Sequence, residues 1–155
     1  MKVQRRILSV DPGEKNIGLA LSDPLGISAS PLRVIRHVSR DADAQAIAAA
    51  ATESGAEVIL VGQALGPEGE IGPSARHAEK VAESIREHFS GEVLLWDESG
   101  STNAVKANYV AMNVPRGKRR GHLDAAAAAW ILQDYLDFQA FRADLAREDR
   151  SDDTF

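Results

Sequence analysis

The sequence predicts an α/β domain: a five-stranded mixed sheet with helices on both faces. Two observations carry that expectation. Three short strand-like runs open the chain with only turns between them, the pattern of an antiparallel meander. After them the periodicity alternates between helical and strand-like, the pattern of units that lay helices over a sheet.

Each element has its own warrant. Residues 3–10 read as a buried strand and 17–22 as a second, and the link Asp-Pro-Gly-Glu-Lys-Asn between them is short enough to imply a hairpin. Residues 31–37 read as a weaker third strand. Residues 41–54 switch to helical period, with Ile47, Ala48 and Ala51 on one face and Gly55 as the stop. "AEVILVG" (56–62) is a central strand, followed by the glycine- and proline-rich loop "QALGPEGEIGPS". Residues 73–89 give the cleanest helix, with proline at its start and Ala78, Val81, Ala82, Ile85 and Phe89 on one side. "EVLLW" (92–96) is the fifth strand and delivers Asp97 and Glu98 at its end. A helix is expected over 102–112, then a basic loop, then a buried helix at 123–138, whose sequence "LDAAAAAWILQDYLDF" is apolar almost all round. The expected organisation is one domain over residues 1–140 and a polar, disordered tail over 141–155.

Composition narrows the function. The chain of 155 residues is 44% hydrophobic and 26% charged, which is globular rather than disordered. It has no cysteine, so disulfides and thiolate zinc sites are excluded. The start "MKVQRRILSV" has no apolar run of signal-peptide length, and a soluble cytoplasmic protein is expected. A net charge of −5 argues against a surface coated in positive charge. The charge is uneven, however: "NVPRGKRRG" holds Arg116, Lys118, Arg119 and Arg120 with no acid among them.

Four acids sit at element ends. Asp11 closes the first strand, Asp97 and Glu98 close the fifth, and Asp124 opens the buried helix. Each has an ordinary explanation by itself: Asp-Pro-Gly is turn chemistry, polar residues after a strand are common, and an aspartate at a helix start is a cap. Taken together they make an oxygen-rich set able to converge where open α/β sheets bind ligands, at the carboxyl ends of strands. Mg²⁺ and Mn²⁺ favour such carboxylates. A pair of ions roughly 3.5–4 Å apart can activate water and steady the leaving oxygen of a phosphodiester.

"ILSVDPGEKNIGLALSD", "VILVGQALGPEGEIGPSAR", "VLLWDESGST" and "HLDAAAAAWILQDYL" resemble, in order and spacing, the YqgF/RuvX family, from about residue 3 to residue 135. These are small bacterial proteins with an RNase H-like fold, described as Holliday junction resolvases and as nucleases that mature the 5′ end of 16S ribosomal RNA. The family's opening pattern Asp-x-Gly-x-Lys-x-x-Gly is matched by Asp11, Gly13, Lys15 and Gly18. Its third pattern, Asp-Glu-Arg before a Thr/Ser pair, is matched by Asp97, Glu98, Ser101 and Thr102, with Ser99 in the arginine's place. Its last is matched by Asp124, Ala125 and Ala126. Gly62 matches its Gly-x-Pro pattern, but Ala64 replaces the proline.

The resemblance implies phosphodiester hydrolysis with Mg²⁺ or Mn²⁺, two ions, held by Asp11, Glu98 and Asp124. Asp97 is then an outer or alternative ligand. Lys15, Arg76, Arg116, Lys118, Arg119 and Arg120 are the candidates for gripping nucleic acid. Pre-16S ribosomal RNA is the favoured substrate and a four-way DNA junction the alternative; a nucleic-acid-binding protein that does not cleave is the second alternative. A monomer or weak homodimer without membrane contact is expected.

Overall fold

The computed structural model describes residues 5–98 and 119–152, with side chains for all of these except 119–124 and 151–152. Three strands lead: β1 (Ile7–Pro12), β2 (Asn16–Ser22) and β3 (Ala29–Arg36). Then follow α1 (Arg40–Glu53), β4 (Val58–Gln63), α2 (Pro73–His88), β5 (Glu92–Asp97) and α3 (Arg119–Asp152). The sheet order is β3-β2-β1-β4-β5. The first three strands pair antiparallel, while β1, β4 and β5 run parallel. The five-stranded mixed sheet and helices on both faces are therefore as expected.

Strand alternation sorts the core into two layers. Leu8 and Val10 of β1, Ile59 and Val61 of β4, and Val93 and Leu95 of β5 pack with α1 and α2. Ile7, Val58, Leu60, Leu94 and Trp96 project the other way, onto Ile131, Leu132, Tyr135 and Leu136 of α3. Ser9 belongs to this second set; fully buried, its hydroxyl donates to the Ala128 carbonyl oxygen at 2.6 Å. Among the described residues no helix is long and apolar enough to cross a membrane.

Three differences from expectation bear on the site and the tail. First, β1 continues through Asp11, which pairs with Gly18, and Pro12, which pairs with Ile17. Asp11 thus stands at the strand's end, as expected of a strand-closing acid, and the ladder with β2 carries the strand two residues past the expected boundary. Second, Arg119, Arg120 and Gly121 of the expected basic loop are helical, within α3. Arginine is a good helix former, and one glycine costs a helix only about 1 kcal/mol. Asp124 consequently lies inside α3 and is not its cap. Third, the segment expected as a disordered tail is helical as far as Asp152, although residues 137–150 are exposed. Phe141 and Leu145 stand out on that length, 60% and 46% exposed. The helix expected over 102–112 lies outside the described residues, as do Ser99, Ser101, Thr102, Arg116 and Lys118.

Candidate active site

The site is assembled at the carboxyl ends of β1, β4 and β5. The Asp11 carbonyl oxygen accepts the Gly13 N–H at 3.0 Å, which starts the tight β1–β2 turn. A Cβ at Gly13 would collide with the backbone oxygen of Asn16, so only glycine fits there. Lys15 is exposed in the same turn, and its carbonyl oxygen accepts the His37 N–H at 2.9 Å.

Alternation decides which acids share a face. Ser9 points at α3, so Asp11, two residues on, shares that side of the sheet. Trp96 also points at α3, where its ring packs edge-on against Tyr135 at 5.2 Å and its Nε1 donates to Asp134 at 3.1 Å. Asp97 continues the Val93–Leu95 row towards α2, and Glu98 returns to the α3 side. The position of Glu98 is independently fixed. A Cβ built on Gly62 would lie 2.6 Å from Ile131 Cδ1 and 3.5 Å from Glu98 Oε2. Gly62 therefore leaves a cradle over β4 that an α3 side chain and the Glu98 carboxylate fill.

β4 lies between β1 and β5, so Asp11 and Glu98 spring from strands about 9–10 Å apart. Glu98 leans inward over the strand between them. Both are half-buried, and both make polar interactions. The Glu98 N–H donates to the Gln63 carbonyl oxygen at 2.9 Å, which extends the β4–β5 ladder and fixes the Glu98 backbone.

The backbone of Asp124 belongs to the same end of the sheet. It is one helical turn before Ala128, or about 6 Å at 1.5 Å per residue. Gln133, one turn after Ala128, reaches the β2–β3 turn, accepting from Ala29 N–H and donating to the Ile27 carbonyl oxygen. That turn is at the opposite end of the sheet from Asp11, so α3 runs antiparallel to β1. Moving from Ala128 to Asp124 is thus moving from Ser9 towards Asp11, and the two steps are of similar length.

The cationic candidates divide. Lys15 is in the turn that follows Asp11. Arg76 is exposed in the first turn of α2, at the same end of the sheet but on the opposite face. Arg119 and Arg120 are in the first turn of α3, upstream of Asp124.

Sequence reasoning missed Ser9, Gly62 as a cradle, and Gln63. Buried at the end of β4, Gln63 donates from Nε2 to Ala75 O at 3.4 Å and Glu79 Oε1 at 3.2 Å, tying α2 to the strand that supports Glu98. The available signal was a polar side chain inside an apolar strand.

A second group of potential ligands lies elsewhere. Asp41, Glu87 and His88 bring ligand atoms within 4.8 Å of one another, all exposed, where the first turn of α1 meets the last turn of α2. His88 Nε2 bonds Asp41 Oδ1 at 2.7 Å, and Gln45 donates to Asp41 Oδ2 at 2.8 Å. The His88 hydrogen bond holds the Asp41 carboxyl below the usual aspartate value. An acid at a helix start bonded to a histidine at a helix end is what the helix dipoles favour, and it needs no ion.

Comparison with known proteins gives the family and the fold. Residues 5–138 match the model of the RuvX family, described as Holliday junction resolvase. A protein from Clostridium perfringens, named as a candidate pre-16S rRNA nuclease, is 37% identical over 132 residues, 85% of this chain and 96% of its own length. One of the same name from Geobacillus kaustophilus is 41% identical over 134 residues, 85% of this chain and 97% of its own length. Two solved structures share the fold at low identity. T. thermophilus RuvC in complex with a Holliday junction substrate has a TM-score of 0.54 at 14% identity, over 88% of this chain and 96% of that one. The Fowlpox virus resolvase complexed with junction DNA has a TM-score of 0.50 at 13% identity, over 86% and 98%. The fold is RNase H-like.

Proposed function

Because the chain belongs to the YqgF/RuvX family of nucleases, we propose that it is a metal-dependent endonuclease that hydrolyses phosphodiester bonds in 5′-end maturation of pre-16S ribosomal RNA, in the cytoplasm. The observation that carries this reading is that Asp11 and Glu98 flank the Gly62 cradle on one face, with the backbone of Asp124 entering from α3 above them. The donor set fits hard divalent cations: carboxylates from three different elements can surround ions, and no thiolate competes. Asp11, Glu98 and Asp124 would hold two Mg²⁺ or Mn²⁺ ions, which when bound supply Lewis-acid activation of water and of the phosphoryl oxygens. Asp97 is left out of this set, because alternation directs it to the α2 side.

The remaining work falls to the chain itself. Lys15, in the turn beside Asp11, neutralises a backbone phosphate, and Arg116, Lys118, Arg119 and Arg120 extend that contact before Asp124. Main-chain bonding of Glu98 to Gln63 keeps its carboxylate placed before substrate arrives, so little reorganisation is needed on binding.

The test offers purified protein, with Mn²⁺ or Mg²⁺, a short single-stranded RNA and a four-way DNA junction, with Asp11→Asn alongside. Cleavage of the RNA that is lost in the variant is expected. Junction resolution is the second reading, favoured by the family description and by the fold shared with two resolvases; it requires two sites in a symmetric dimer. Junction cutting in symmetric pairs would put that reading first. Binding without cleavage of either substrate would leave a non-cleaving nucleic-acid-binding protein.

A further inference from the structure

We propose that Asp43 and His37 are positioning residues for the nucleic-acid substrate, clamping the β1–β2 turn so that Lys15 is presented to a phosphate beside Asp11. The inference rests on the nuclease reading above and adds to it a route from α1 to the substrate.

Asp43 is an acid with no part in the hydrolytic chemistry proposed above. Asp43 is the one charged residue among the described residues whose surface is almost wholly buried, at 6% exposure. Burying a carboxylate is costly unless its oxygens are hydrogen-bonded. Here both are: Oδ1 accepts the Val38 N–H at 3.0 Å, and Oδ2 is bonded to His37 Nδ1. Ordinary capping does not account for this. Ser39 is the cap of α1, accepting from Ala42 N–H, and Asp43 lies beyond the position of a reciprocal capping acid. Its bonds go upstream to two residues before the helix.

Those two residues are tied to the site. The His37 N–H donates to the Lys15 carbonyl oxygen at 2.9 Å, one step past the last β2–β3 pair, Asn16 with Arg36. The linkage therefore runs from the Asp43 carboxylate through the His37 ring and main chain to the turn that carries Lys15. That turn starts at the Asp11 carbonyl oxygen, so its conformation sets the offset between the lysine and the proposed metal ligand. A lysine on a loose turn spends orientational freedom on each phosphate contact, whereas a clamped turn has lost it beforehand.

The test measures binding of a short single-stranded RNA by anisotropy without divalent metal, and kcat and KM with Mn²⁺, for wild type, Lys15→Met, Asp43→Asn, His37→Ala and the double variant Lys15→Met with Asp43→Asn. Lys15→Met should weaken binding about fivefold and lower the salt dependence by about one unit. Asp43→Asn and His37→Ala should each raise KM and weaken RNA binding in the same direction with little change in kcat. In the double variant the loss should equal that of Lys15→Met alone. Additive losses, or an Asp43→Asn variant that folds, by thermal melt, and binds like wild type, would overturn the clamp while leaving the nuclease reading intact. His37→Ala, at a half-exposed ring, supplies the same decision if Asp43→Asn is unfolded. Wild type that binds no RNA would overturn both.

Discussion

The two faces of the sheet carry similar acidic side chains to different ends. On the α1/α2 face, Asp97 continues the apolar row of β5 and Gln63 that of β4, with Gln63 bonded to Glu79 and Ala75 of α2. Asp41 and His88 bond each other where α1 meets α2. Gln63 and the Asp41–His88 pair fasten helices. On the α3 face, Asp11 and Glu98 come from separated strands, and a glycine between them keeps the space over β4 open for the Glu98 carboxylate. The lesson is that the chemical type of a residue says little until its face is known: moving one position back, from Glu98 to Asp97 at the end of β5, takes a carboxylate from one face to the other.

The largest effects should separate the faces. Asn at position 11 or Gln at position 98 should lower RNA cleavage by at least about a hundredfold, since each would remove a proposed ligand of ions whose charge stabilisation is worth several kcal/mol. Asp97→Asn should keep activity within about threefold of wild type. Single-turnover rates at saturating Mn²⁺ check both, and equal losses at positions 97 and 98 would erase the distinction.

Next in size is the cradle. Gly62→Val should lose cleavage and also about 1–3 kcal/mol of stability, because the new side chain meets Ile131 and reaches the Glu98 carboxylate. Chemical denaturation and cleavage rates on one preparation test this. A stable and active Gly62→Val protein would mean that α3 and Glu98 do not crowd this position.

A stability effect without a matching loss of chemistry should come from Ser9→Ala. It removes the side-chain donor from the Ala128 carbonyl oxygen, which keeps its helical partner, and should cost about 0.5–1.5 kcal/mol. The smallest effect is expected on the other face. The lowered value of Asp41, due to His88, means that its contribution is present above the carboxyl's ordinary range and is lost as pH falls through the folded value. An acid titration of Tm should therefore be shallower for Asp41→Asn below the usual aspartate pKa. Identical titrations would remove the helix-fastening role.

Much of this was legible in the sequence, and for identifiable reasons. The runs of β2, β4 and β5 and the period of α2 declare themselves because burial demands the same residues that propensity favours. Asp11 and Glu98 could be picked out as strand-end acids, but whether Asp97 or Glu98 faces α3 could not, since the answer depends on where Trp96 packs in three dimensions. The start of α3 was obscured because Arg119, Arg120 and Gly121 read as a basic loop, and its end because a polar helix has no apolar period to announce it. Ser9 and Gln63 were visible as polar residues in buried strands, yet their partners Ala128 and Glu79 come from elements distant in sequence.

Titration of Mn²⁺ followed by electron paramagnetic resonance reads most directly whether three acids from β1, β5 and α3 share cations. Wild type and Asp97→Asn should bind the ion alike, while Asp11→Asn, Glu98→Gln and Asp124→Asn should each lose affinity or stoichiometry. An Asp124→Asn protein that binds Mn²⁺ as wild type does would contradict the account, because α3 would then contribute nothing to the site it covers.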